Sequence, residues 1–194
     1  RWLMPQNYKF KAYFCPDNEL TVKKEHMNPA VSIIMGSVSD LKVMEKAAEF
    51  LDSVGIPFEI NALSAHRTPE AVEKFARGAA GRGVKVIIAG AGMAAHLPGV
   101  IAAMTPVPVI GVPVKASLDG MDALLAIVQM PPGIPVATVA IDGALNAGIL
   151  AAQIIATGDP ALMEKLIAYK ESLKQKIVKA NEELGAVKYR HRTN

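Results

Sequence analysis

Three short stretches of the sequence hold side chains able to bind a phosphate and to move a proton. In Ser64-Ala65-His66-Arg67-Thr68-Pro69, His66 carries an imidazole, whose unperturbed pKa of about 6.5 lets it donate and accept protons near neutrality. Its neighbour Arg67 offers a planar guanidinium that grips a phosphate through two parallel hydrogen bonds, and Ser64 adds a hydroxyl. In Gly36-Ser37-Val38-Ser39-Asp40, a glycine turn runs into a helix start, where unpaired N–H groups and the helix dipole favour an anion. Ser37 supplies a hydroxyl there. Asp40 would repel a phosphate placed against it and suits the hydroxyls of a sugar beside it. The same segment also reads as an ordinary Ser/Asp helix N-cap.

The third stretch is Gly90-Ala91-Gly92-Met93-Ala94-Ala95-His96-Leu97-Pro98-Gly99. Its glycines and alanines let a ligand or a backbone come close, with Gly92 expected at positive φ. His96 either orients a ligand or caps a packed turn. Further on, Pro131, Pro132 and Pro135 fix a rigid loop, suited equally to the wall of a small site and to structural punctuation.

Other chemistries find less support. The Gly-x-Gly pair after Ala89 lacks the third glycine of a dinucleotide fingerprint, Ala95 standing in its place, and no acidic residue follows at the required distance. No Walker-type loop occurs, no histidines fall at helical ligand spacing, no carboxylates cluster and Cys15 is the single cysteine, so neither a metal site nor ATP hydrolysis is expected. One cysteine forms no intrachain disulfide and agrees with a reducing compartment, so a cytoplasmic location is expected. Apolar runs such as Val84–Ala95 are broken by glycine and fall short of the roughly 20 residues a membrane span needs. The first 26 residues alternate polar and apolar types and do not read as a signal peptide. The net charge is +3, and the basic residues are not interleaved with aromatics. A nucleic-acid surface is therefore not expected, and the basic groups suit a small phosphorylated substrate or ordinary solvation.

Something must hold these stretches together. The chain changes character near Met27, and residues 1–26 read as an N-terminal extension of unknown role ahead of a single domain at 27–194. From Val31, short apolar runs alternate with amphipathic ones. Strands are predicted at 31–35, 58–63, 84–89, 107–112 and around 136–141. Helices are predicted at 39–54, 69–80, 93–104, 118–128 and 144–156, with a long final one from Pro160 to about Leu184. Repeated strand–helix units imply an α/β, flavodoxin-like three-layer sandwich with a central parallel sheet and a long C-terminal helix. In such sheets ligands lie outside the carboxyl ends of the strands, so the loops after the first three strands should meet.

Taken together, Gly36–Asp40, Ser64–Pro69, Gly90–Gly99, Gly111–Val114 and Gln129–Pro135 resemble the 5-(carboxyamino)imidazole ribonucleotide mutases of purine biosynthesis, over about residues 31–169. The resemblance implies an isomerase that moves a carboxyl group from the exocyclic nitrogen of the substrate to carbon 4 of its imidazole. It implies a homo-octamer with sites at subunit interfaces and no metal or cofactor. By the same resemblance, Ser37, Ser64 and Arg67 would hold the 5′-phosphate and Asp40 the ribose hydroxyls. His66 would be the general acid and base, with Gly92, His96, Leu97 and the Pro131 loop shaping the pocket. The family usually has glycine where this chain has Met93, whose side chain would either crowd the site or enter the core. A related branch carboxylates aminoimidazole ribonucleotide directly with CO2, but Arg67 and the His96-Leu97-Pro98-Gly99 ending resemble the mutases more. A non-catalytic nucleotide- or flavin-binding module on the same fold is the remaining alternative.

Overall fold

The computed structural model describes residues 28–193, so the expected extension at 1–26 lies outside the described residues. Five strands form one parallel sheet: β1 (Val31–Met35), β2 (Phe58–Ala62), β3 (Val86–Gly92), β4 (Val109–Val114) and β5 (Ala137–Thr138), in spatial order β2-β1-β3-β4-β5. This order and the covered faces match the predicted flavodoxin-like sandwich. β1 is Val-Ser-Ile-Ile-Met and buried throughout, the unbroken apolar reading of a strand covered on both faces. Its one polar residue, Ser32, donates to Glu59 Oε1 at 2.5 Å. The same carboxylate accepts from Arg82 Nη2 at 3.0 Å, and the Arg82 guanidinium lies 5.1 Å from the Phe75 ring centre. The buried hydroxyl is thereby paired, as burial requires.

Six α-helices cover the sheet. α1 (Leu41–Val54) turns Met44, Ala47, Ala48 and Leu51 inward and stops at Gly55, whose φ of 78° a side chain would resist. It packs with α5 (Ala144–Ala156) and the first turns of α6 (Pro160–Gly185) on one face of the sheet. α2 (Pro69–Gly78), α3 (Leu97–Ala102) and α4 (Met121–Val128) cover the other. At the α1–α5 crossing, a Cβ on Gly148 would lie 3.1 Å from the Ala47 backbone, so the missing side chain sets how closely the helices approach. α6 is anchored by Asp159, which accepts from Leu162 N, by buried Leu162 and Leu166, and by Tyr169 edge-on to Phe50 at 5.1 Å. Beyond Tyr169 the helix is exposed on all sides.

Several boundaries differ from the periodic pattern. β3 runs on to Gly92, because pairing with β4 continues to Gly92↔Val114. The helix expected from Met93 begins only at Leu97. Between them Ala95 N bonds Met93 O at 2.9 Å and His96 N bonds Ala94 O at 2.8 Å, two tight turns in succession. The helix expected at 118–128 begins at Met121, because Leu118 and Asp119 sit at φ 43° and 54°. The last strand shrinks to two residues. Past it, Val139 N and Asp142 N still reach Gly111 O and Pro113 O without regular pairing, and Asp142 is at φ 57°.

Candidate functional site

The carboxyl ends of β1, β2 and β3 bring the three chemistry-bearing stretches to one place. After β1, Ser37 is extended at φ −155° and its Oγ accepts from Ser39 N at 3.3 Å. A single turn of 3-10 helix over Val38–Asp40 then leads into α1. The N-cap reading of this segment holds at Ser37, and the same residues line a pocket. Gly36 is not at positive φ, and a Cβ there would meet nothing within 4 Å. Its lack of a side chain therefore leaves room beside the pocket rather than permitting the turn.

After β2 the segment Ser64–Thr68 closes on itself. Thr68 N donates to Ser64 O at 2.8 Å, Thr68 Oγ1 donates to the same carbonyl at 3.1 Å, and Ser64 N donates to Thr68 Oγ1 at 3.0 Å. Pro69 then opens α2 at its first position, where no N–H is needed. This closed turn orients Arg67, which donates from Nε to Ser64 Oγ at 3.3 Å and from Nη2 to Gly36 O at 3.0 Å. The second bond joins the loops after β1 and β2 directly.

After β3 the turns through Met93–His96 carry His96 back over the site. Its Nδ1 lies 2.9 Å from His66 Nε2, with the two rings edge-on and their centres 5.0 Å apart. At that separation one facing nitrogen carries a proton and the other presents a lone pair. The pair is thus a proton donor joined to a proton acceptor, partly exposed and able to reach a ligand.

The three loops enclose a cavity of about 420 Å³, large enough for a mononucleotide. Ser37, Asp40, Ser64, His66, Arg67, Gly92 and Leu97 all line it, and His96 joins through His66. Burial pushes the Asp40 carboxyl above its ordinary value, against the opposing pull of the Ser39 hydroxyl, the Ser37 backbone and the Arg67 charge. The cavity lining combines these polar groups with the small apolar side chains of Ala65, Ala91, Ala94 and Ala116 and with Leu97. Among the described residues, no group of three or more His, Cys, Asp or Glu side chains gathers as metal ligands. No helix among them is long and apolar enough to cross a membrane.

Two sequence expectations need correction. The positive φ assigned to Gly92 falls one residue later, on Met93 at 54°. A Cβ on Gly92 would instead lie 3.0 Å from Val114 O, so close strand contact keeps that position bare. The Pro131 loop does not reach the cavity within this chain. Gly133, Ile134 and Pro135 line a recess with Ala102–Val109 at the amino end of β4, the opposite end of the sheet. Two contributors were missed: Ala116, because β4 ends two residues later than the pattern suggests, and Thr68, whose role is visible only once the turn closes.

Comparison with known proteins adds an independent line. The AIR carboxylase family matches residues 30–176. An N5-carboxyaminoimidazole ribonucleotide mutase of Pyrococcus horikoshii is 52% identical over 174 residues, covering 88% of this chain and 98% of that one. Its counterpart from Thermotoga maritima is 53% identical over 167 residues, 86% of this chain and 98% of that one. A phosphoribosylaminoimidazole carboxylase of Schizosaccharomyces pombe is 53% identical over 173 residues, 89% of this chain but only 31% of the relative. The chain therefore spans less than a third of that fungal protein and nearly all of the two mutases. The structure of Treponema denticola PurE superposes with a TM-score of 0.73 at 33% identity, covering 80% of this chain and 98% of that one.

Proposed function

The chain belongs to the AIR carboxylase family, and on that footing we propose that it is an isomerase converting N5-carboxyaminoimidazole ribonucleotide to the carbon-4 carboxylate in purine biosynthesis. The meeting of a histidine pair with Arg67, Ser37 and Asp40 around one nucleotide-sized cavity supports this function most directly. The mutase-named relatives match it over nearly their whole length, whereas the carboxylase-named fungal relative is a much longer protein.

The roles follow from the chemistry of each group. Arg67, Ser37 and Ser64 hold the 5′-phosphate, and Asp40 accepts from the ribose hydroxyls. His66, protonated, supports cleavage of the carbamate N–C bond. The electron pair returns to the exocyclic nitrogen, which takes the proton from His66, and CO2 is released among the apolar side chains of Ala91, Ala94, Leu97 and Ala116. Carbon 4, the nucleophilic position of an enamine, attacks CO2, and the hydrogen it carried leaves as a proton to neutral His66. His96, with Nδ1 at 2.9 Å from His66 Nε2, holds the His66 ring in place. Phosphate anchoring places the ring for both steps, so binding energy far from the reacting atoms lowers the barrier.

An octamer with sites at subunit boundaries, in the cytoplasm, belongs to the same proposal. The apolar stripe of Met121, Leu125 and Val128 on α4, and Ile167 and Ile177 on α6, are exposed in the single chain and suit contact between copies. Sedimentation showing only monomer would remove that part. For the chemistry, the purified protein is mixed with the carbamate ribonucleotide without ATP, and the carbon-4 carboxylate is followed by absorbance. Formation of product supports the mutase. Product formed only from aminoimidazole ribonucleotide plus bicarbonate would make the protein a direct carboxylase instead. Ligand binding without turnover would leave a binding module.

A further inference from the structure

We propose that the Met93 side chain is a cover over the reacting ring, and that it determines how much released CO2 is recaptured rather than lost. The inference rests on the mutase reading above and adds a residue to it. Met93 sits at φ 54°, a left-handed conformation that hinders any L side chain and that glycine adopts freely. Four non-glycine residues among those described share this property, and Met93 alone of them lines the cavity that holds His66 and Arg67.

Strain kept at a site wall calls for a compensating use of the side chain. Core packing does not supply one, because Met93 is 61% exposed and belongs to neither buried cluster. The turn does not supply one either, since its hydrogen bonds use the Met93 carbonyl and not its side chain. Within the chain, the surface that Met93 does line is the cavity. Its other apolar side chains are Ala65, Ala91, Ala94, Leu97 and Ala116, all but one of them alanines. Met93 is the longest and most flexible apolar group there, and a thioether packs well against the face or edge of a flat ring.

The position also fits the task. Met93 lies between Gly92, at the end of β3, and the turn that delivers His96 to His66. A side chain at this point belongs to the lining of the cavity that also holds the proton-transferring His66. In the reaction, the N–C bond of the carbamate breaks with uptake of one proton, giving the free amine and CO2. CO2 then either forms the new bond to carbon 4 or diffuses out, leaving aminoimidazole ribonucleotide. A cover acts on that branch point and not on either bond.

The test runs the reaction in 13C-bicarbonate with carbonic anhydrase, so that CO2 reaching solvent is replaced by labelled CO2. The label in the carbon-4 carboxylate is measured by mass spectrometry, and uncatalysed decay of the substrate is subtracted. Removing roughly one or two methylene equivalents of contact in Met93→Gly should raise the labelled fraction about four- to fifteenfold over the parent. Met93→Leu should return it toward the parent value. Met93→Gly should melt no lower than the parent, since glycine relieves the backbone, which separates leakage from unfolding. An equal labelled fraction in parent and Met93→Gly overturns the inference, as does complete labelling in the parent. Failure of the underlying function looks different: the parent then makes no carbon-4 carboxylate at all, or makes it from added aminoimidazole ribonucleotide plus bicarbonate and not from the carbamate ribonucleotide when bicarbonate is left out.

Discussion

Replacing Arg67 by alanine is the most direct probe of where the phosphate sits. The guanidinium has five N–H donors; two are engaged, with Ser64 Oγ and Gly36 O, which leaves 5 − 2 = 3 to face a ligand. The two internal bonds belong to an exposed side chain, so their loss should change folding stability by no more than about 1 kcal/mol. A charge-assisted contact to phosphate is worth about 1.5–3 kcal/mol per bond, so losing the bidentate grip should weaken binding by about 3 kcal/mol, or roughly a hundredfold in KM. Steady-state kinetics with the ribonucleotide, and with the corresponding nucleoside lacking the 5′-phosphate, isolates that term. Parent and variant should differ about a hundredfold on the first substrate and little on the second, with melting temperatures close together. An unchanged KM on the ribonucleotide, or an equal loss on both substrates, would place the phosphate elsewhere.

Other expectations follow from the same geometry. His66→Asn keeps a polar side chain but removes the proton carrier, so turnover should fall about a hundred- to ten-thousandfold while nucleotide binding by calorimetry persists; near-normal turnover would be decisive against it. Asp40→Asn should raise the melting temperature of the ligand-free protein at neutral pH while weakening ribonucleotide binding. The sign follows from burial. With the folded carboxyl pushed above 3.8, its favourable contribution is complete below that pH and is lost as pH rises through the folded value, so the charged parent is the penalised one. The gain should vanish at about pH 3, where both forms are neutral, and a gain that persisted there would refute the cause. Gly148→Val puts a side chain where 3.1 Å separates a Cβ from the Ala47 backbone; parting α1 from α5 should cost about 1–3 kcal/mol in denaturant unfolding.

The fold was legible because the buried strands, such as Val31–Met35 and Val86–Gly92, read as apolar runs, and because helix faces such as Met44, Ala48 and Leu51 repeat at helical spacing. Periodicity fails where backbone conformation departs from regularity without changing residue types. Met93-Ala94-Ala95-His96 has the composition of a helix, yet Met93 at positive φ ends that possibility. The site residues were legible one by one from type and strand-end position. Their pairing was not, because the 2.9 Å contact between His66 and His96 joins positions 30 residues apart. The Pro131 loop shows the converse: its rigidity was visible, but nothing local states to which end of the sheet a rigid loop goes.

The mutual bonding of Ser64 with Thr68 bears on the speed and cost of substrate capture. A segment whose peptide groups already satisfy one another has few alternative shapes to surrender when a ligand arrives. Each rotamer-rich side chain immobilised on association costs about 0.5–1.5 kcal/mol, and Arg67, already tethered to Gly36 and Ser64, has surrendered much of that freedom beforehand. In the proposed function the substrate would thus meet a receptor already folded to receive it, and more of its intrinsic affinity would survive as usable grip.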